Sequence, residues 1–192
     1  PDSRRGTRKR RGFMGLMAGL AVGGRTLVEA RVARAAVYAA RRASGNTTSW
    51  PEIPKRTLGR TGFEAGRLIF GCGASLMFRS RDALLNAAFD AGVNVFDVGY
   101  AGYYWNAEQN LAPFVAQKRD EIFLISKARA EVEDLGDHDA VTPAQAKTAS
   151  KAWLAELDKS LVGLGVDHVD AYYQMAAYNT SLLVSDEMLK AM

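Results

Sequence analysis

An α/β fold built on a parallel sheet is predicted by three features of residues 92–127, GVNVFDVGYAGYYWNAEQNLAPFVAQKRDEIFLISK. Val93, Val95 and Phe96 form a short apolar run stopped by Asp97, and Ile122, Phe123, Leu124 and Ile125 form another stopped by Ser126 and Lys127. Continuous apolar runs of this length mark strands buried on both faces. A helical segment separates them, which suits a parallel crossover. If the two strands are neighbours, Asp97 and Lys127 emerge at one carboxyl edge, where α/β folds place their chemistry. A carboxylate beside an ammonium stabilises both charges and lowers the carboxylate's proton affinity. A tyrosine near such a lysine becomes a better proton donor and acceptor near neutral pH, and Tyr100, Tyr103 and Tyr104 lie in the intervening loop.

Taken from the start, residues 1–49 hold 11 Lys and Arg against two acids, a charge of +9, while the remainder has 14 against 19, or −5. The basic balance therefore belongs to the tail, and the globular part offers no basic groove for nucleic acid. Arg10-Arg11-Gly12-Phe13-Met14 stands directly before an apolar run from Phe13 to Val22. That run is too short for the ~20 residues of a membrane span, but it has the form of a signal peptide's apolar region. The pair resembles the twin-arginine motif of Tat export, which implies an exported protein, periplasmic or membrane-associated; the alternative is a disordered basic tail on a cytoplasmic protein. Ala33-Arg34-Ala35 is a basic candidate for cleavage. Over residues 26–42, Val28, Val32, Ala35 and Ala39 share one helical face and Arg31, Arg34, Tyr38 and Arg41 another, a basic amphipathic helix able to lie on an anionic membrane. A weakly structured alanine-rich linker is the alternative. The turn-rich SGNTTSWPEIP ends this tail, so the domains are expected at 1–49 and 50–192.

Beyond the boundary, residues 56–58 and 67–70 flank LGRTGFEAG, which predicts a β-hairpin. Gly71-Cys72-Gly73 lacks the spacing of a dinucleotide fingerprint, and close packing accounts better for its glycines. Ser80 caps a predicted helix over 81–91, with Leu84, Leu85, Ala88 and Phe89 inward and Gly92 at its end. Pro113 requires the next helix to be short, late-starting or kinked. Thr142-Pro143 opens a long helix by cap-and-proline logic, with Ala146, Ala149, Trp153, Leu157, Leu161 and Leu164 at helical spacing. A fourth strand, HVDAYYQM, and a helix from Ser185 follow. Lone Cys72 excludes an internal disulfide, and no metal-ligand set is expected.

KRTLGRTGFEAGRLIFGCG, AFDAGVNVFDVG, AEQNL, KRDEIFLISK and LDKSLVGLGVDHVDAYY, in this order, resemble the landmarks of the aldo-keto reductases. The resemblance covers residues 53–192. It implies a (β/α)8 TIM barrel whose floor the hairpin closes, of which this chain holds the first four β/α units. It also implies hydride transfer between NADPH and a small-molecule carbonyl by a tetrad of Asp, Tyr, Lys and His. Asp97 and Lys127 fall on the family's Asp and Lys. The tyrosine's position falls on Gly102, so Tyr103 is the expected donor after local re-threading, with Tyr104 the alternative. The histidine's position falls on Met175, whose thioether cannot donate a hydrogen bond; Tyr172, Tyr173 and Gln174 beside it offer polar groups without an assigned role.

A complete barrel of this type needs about 250 residues, so the 192 residues are expected to be a fragment, or a mis-called reading frame, with most of the cofactor's site elsewhere. If the chain is whole, its open sheet edges imply an oligomer. Loss of the Tyr and His matches leaves a second reading, a non-catalytic barrel used as a binding or scaffold module.

Overall fold

The computed structural model describes residues 52–133 and 135–192. The twin-arginine segment and the amphipathic helix expected over 26–42 lie outside the described residues. The elements run β1 (Lys55–Thr57), β2 (Glu64–Gly66), β3 (Ile69–Gly71), α1 (Gly73–Leu76), α2 (Asp82–Asp90), β4 (Val95–Asp97), α3 (Ala101–Tyr104), α4 (Ala107–Lys118), β5 (Phe123–Ala128), α5 (Pro143–Leu164), β6 (Ala171–Gln174), α6 (Thr180–Leu183) and α7 (Asp186–Ala191).

β3, β4, β5 and β6 form one parallel sheet in that order. Each strand is followed by helix, which is the arrangement of the first four β/α units of a TIM barrel, preceded by the β1–β2 hairpin. Strand alternation divides the sheet into two faces. On the outer face Phe96, Val98, Ile122 and Leu124 pack against Leu85 of α2 and Leu111, Phe114 and Val115 of α4. Each such side chain, taken fully out of water, contributes about 1.5–3 kcal/mol. On the inner face Val95 and Phe123 meet Ala65 of the hairpin, with Leu58 and Phe63 beside them, so the hairpin covers the amino end of that face. Ala146, Ala149 and Trp153 of α5 bury with Ala128, Leu182 and Met188.

Four local readings change. The hairpin's second arm is Glu64–Gly66, pairing Thr57 with Glu64, and 67–70 is not that arm. Left-handed Gly59 (φ 51°) and Gly62 (φ 74°) close the turn sooner, with Leu58 N donating to Phe63 O at 2.9 Å. Leu84, expected inward, is exposed, because only the Leu85 side of this short helix meets the sheet. The helix carrying Pro113 starts at Ala107 and runs through the proline for 12 residues. Ser80, expected to cap α2, does not: Arg81 holds the N-cap position without a side-chain cap bond, and the Ser80 hydroxyl turns to the Asp82 carboxylate instead. At the later helix ends the expected chemistry holds. Thr142 and Gln145 form a capping box with Pro143 in the first turn, and Gly165 (φ 69°) ends α5 in the left-handed region. Ser185 caps α7.

No helix among the described residues is long and apolar enough to cross a membrane.

Candidate active site

The parallel register fixes the two charged residues before any side chain is considered. Asp97 ends β4 opposite Ile125 of β5, so Lys127 stands two residues further along β5 and, by alternation, on the same inner face. β5 continues through Ser126 and Lys127 to Ala128, so the polar residues end the strand from within it. Lys127 Nζ donates to Asp97 Oδ1 and Oδ2, both at 2.7 Å. A third bond, also 2.7 Å, goes to the Val98 carbonyl oxygen. The three hydrogens of the ammonium are thus all engaged, in a residue that is 7% exposed. An ion pair this sheltered persists because every donor is satisfied.

Two phenol rings lie over this ammonium, those of Tyr104 at 5.4 Å and Tyr173 at 5.5 Å to the ring centres. Both fall within cation–π range. Tyr104 ends the short helix α3 and its ring is seated between two glycines. A Cβ on Gly73 would come within 2.5 Å of Tyr104 Cε1, and one on Gly99 within 2.8 Å of Cδ2. Gly73 of the Gly-Cys-Gly segment is therefore small because a ring occupies its side-chain space, as the close-packing reading expected, whereas a Cβ on Gly71 would meet nothing within 4 Å, so close packing does not account for that glycine. Burial first, then the neighbouring Tyr103 and the Asp97 charge, raise the Tyr104 pKa above the usual phenol value.

Tyr103, the expected proton donor, takes a different place. Its ring is exposed, meets Tyr104 edge-on at 4.8 Å and lies 5.2 Å from the Arg129 guanidinium. The reason is the helical turn over Ala101–Tyr104, which points successive side chains about 100° apart and sends 104, not 103, over the lysine. Met175, onto which the resemblance brought the family's histidine position, is half-buried and extends the ladder through its N–H to Ala128 O at 2.8 Å. His138 and His168, the chain's two histidines, are exposed, and His168 pairs with Asp167.

Two contacts escaped the sequence reading. Tyr173 Oη donates to Asp97 Oδ1 at 3.1 Å. On the outer face, Ser126 Oγ donates at 2.8 Å to Glu108 Oε1, a carboxyl that is 2% exposed. Burial raises the Glu108 pKa and outweighs the hydrogen bond from Ser126. Cys72, also buried at this edge, has its thiol pKa driven far up by burial and then by the Asp97 charge, so it stays an inert thiol.

The arrangement can hold a proton on a phenol beside a fixed cation, and Lys127 itself has no hydrogen free for a phosphate. Beyond the rim, a cavity of about 530 Å³ opens between the loop after β5 and the loop after β6, lined among others by Arg129, Glu131, Gln174 and Asn179.

The model of the Aldo/keto reductase family matches residues 67–192. Among solved structures, a candidate aldo-keto reductase from Pseudomonas aeruginosa shares 22% identity over 73% of this chain and 54% of its own, with a TM-score of 0.55. A second structure from that organism gives 21% identity, 73% and 53% coverage and a TM-score of 0.55. An aldo-keto reductase from Klebsiella pneumoniae in complex with NADPH gives 20% identity, 68% and 41% coverage and a TM-score of 0.47. The chain spans about half the length of the Pseudomonas structures. No curated protein matches it.

Proposed function

Because this chain belongs to the aldo/keto reductase family, we propose that the protein is an NADPH-dependent oxidoreductase interconverting a small-molecule carbonyl and its alcohol. The observation that carries this reading is the sheltered Asp97–Lys127 pair, 2.7 Å apart at the carboxyl edge of a parallel sheet. In it, Asp97 and Lys127 tune a tyrosine that hands a proton to the substrate oxygen. Tyr104 is the better supported donor, because its ring lies over the ammonium whereas Tyr103 lies over Arg129.

The pKa of Tyr104 is raised by burial, so at rest the phenol keeps its proton. Releasing it to a substrate oxygen leaves a phenolate, whose charge the nearby ammonium offsets. Asp97 keeps that ammonium in place. NADPH would supply the hydride. The described side chains at this edge do not fit its phosphates, the one buried cation being fully engaged, so its binding residues are assigned to none of them.

A second reading is a barrel-derived binding or scaffold module. It is favoured by Met175, a thioether where the family's tetrad has a histidine, and by a lysine whose hydrogens are already taken up by Asp97 and Val98. Fluorescence titration of the full-length protein with NADPH, followed by a panel of carbonyl substrates, separates the two. Binding with turnover supports the oxidoreductase. Binding without turnover supports the module, and absence of binding removes the cofactor from both.

We also propose export by the Tat route, on the strength of Arg10-Arg11 before the apolar run. Cell fractionation of the wild type beside an Arg10→Lys, Arg11→Lys variant tests it. Retention of the variant is the expected result, and equal distribution of the two would end the idea.

A further inference from the structure

Tyr173 and Lys127 are register partners on β6 and β5. Alternation therefore puts the phenol on the face that carries the ion pair, and Met175, two residues on, belongs to that face as well. Between them, Tyr173 is the side chain of this strand that brings a hydrogen-bond donor to the site. Its hydroxyl reaches Asp97 Oδ1 at 3.1 Å while its ring lies over the Lys127 ammonium. Asp97 Oδ1 thus accepts from two strands at once, from Lys127 of β5 and from Tyr173 of β6, and Oδ2 accepts from Lys127 alone.

We propose that Tyr173 is a positioning residue of this site: it ties the Asp97 carboxylate across β5 to β6, so that both carboxylate oxygens stay turned toward Lys127. A carboxylate at a strand end otherwise rotates about its own side-chain bonds, and any rotation that takes one oxygen away from the ammonium frees a lysine hydrogen. The hydroxyl of Tyr173, a second donor to Oδ1, opposes this rotation. The same bond excludes Tyr173 as the proton donor to substrate, because its hydrogen points at Asp97. Burial and then the Asp97 charge push its pKa up to about 12, and the hydrogen bond adds to the same effect. The other titratable and charged groups around the pair are Tyr104 on α3, with Tyr103 and Arg129 beyond it, and the buried Cys72 after β3.

The geometry stands without any assumption about turnover; only its kinetic consequence rests on the oxidoreductase reading. The test uses the full-length protein with ring-labelled tyrosine, followed by NMR through the alkaline range. Asp97→Asn removes the charge and weakens the acceptor, so the Tyr173 titration is expected to move down by about one pH unit, more than that of any other tyrosine. Should this substitution leave Lys127 too poorly paired for the protein to fold, the same comparison is made between Lys127→Met and the Asp97→Asn, Lys127→Met double variant, where the ammonium is absent from both and the fall in the Tyr173 midpoint reads Asp97 alone. A Tyr173 midpoint that does not move in the folded variant overturns the proposal.

Kinetically, Tyr173→Phe keeps the ring and loses the bond, and is expected to lower kcat about tenfold with KM unchanged. Equal loss in a Tyr172→Phe variant, which removes the outward hydroxyl bonded to Trp153 O, would mark the effect as general loosening and overturn the positioning role. If the wild type turns over no carbonyl, the oxidoreductase reading fails and the titration alone decides the geometry.

Discussion

A methyl group on Gly73 would stand 2.5 Å from Cε1 of Tyr104. The glycine at the start of α1 and the last residue of α3 therefore occupy one space, and the ring over Lys127 keeps its place because residue 73 has no side chain. Gly73→Ala is expected to displace that ring and to destabilise the fold by about 1–3 kcal/mol, the usual cost of overpacking. Denaturant unfolding checks the second effect. A stability unchanged within error would mean that Tyr104 moves aside freely.

Tyr104 and Tyr103 make opposite kinetic predictions. Tyr104→Phe removes the hydroxyl whose ring lies over the ammonium and is expected to lower kcat/KM by about 10²–10⁴, the span of general acid catalysis. Tyr103→Phe, on the exposed side over Arg129, is expected to change it less than about tenfold. Steady-state kinetics of the two variants against one carbonyl substrate decides, and the reverse ranking would return the role to Tyr103.

Lys127→Met removes a buried cation and leaves Asp97 with Tyr173 as its remaining side-chain donor. Breaking a fully buried pair costs about 3–5 kcal/mol. The Asp97 side chain is 24% exposed, so about 1–3 kcal/mol is expected after allowing for solvent. Asp97→Asn combined with Lys127→Met removes both charges and should recover part of that loss, a result that a double-mutant cycle in urea would read.

Glu108 gives the fold a pH dependence of unusual sign for a carboxyl. Its folded pKa is raised by burial, so between the unfolded and folded values the folded state binds more protons than the unfolded one. Stability is then greatest below the ordinary glutamate range, about 4.3, and declines as pH rises through the folded pKa. Glu108→Gln, which keeps the shape and can still accept from Ser126, should flatten this slope and match or exceed the wild type at neutral pH. Denaturation midpoints measured across acid to neutral pH provide the comparison.

Asp97 and Lys127 were legible because each terminates an apolar run, and a parallel register needs no more than strand ends to bring such residues to one edge. The floor hairpin was legible in kind but not in extent, since the left-handed glycines that shorten its turn look the same in sequence as glycines in a longer one. Which ring lies over Lys127, that of Tyr103 or that of Tyr104, turned on a single helical turn after Tyr100, which a loop rich in glycine and tyrosine does not announce. Tyr173 lay within reach: alternation along HVDAYYQM puts 171, 173 and 175 on one face. Selecting it required knowing that residue 173 stands opposite residue 127, and register between strands separated by a 22-residue helix is set by packing. Glu108 entered only within the landmark AEQNL, because nothing in that segment signals that the acid points into the core.

One residue apart on β5, Ser126 grips a carboxylate outward and Lys127 grips another inward. A peptide unit pinned from both sides has little room to twist, so the lysine stalk inherits the rigidity of the helix layer behind it. Loops at the rim can then vary while the charged centre stays put. Conversely, a change tucked behind the sheet near Glu108, far from any ligand, would be felt at the front.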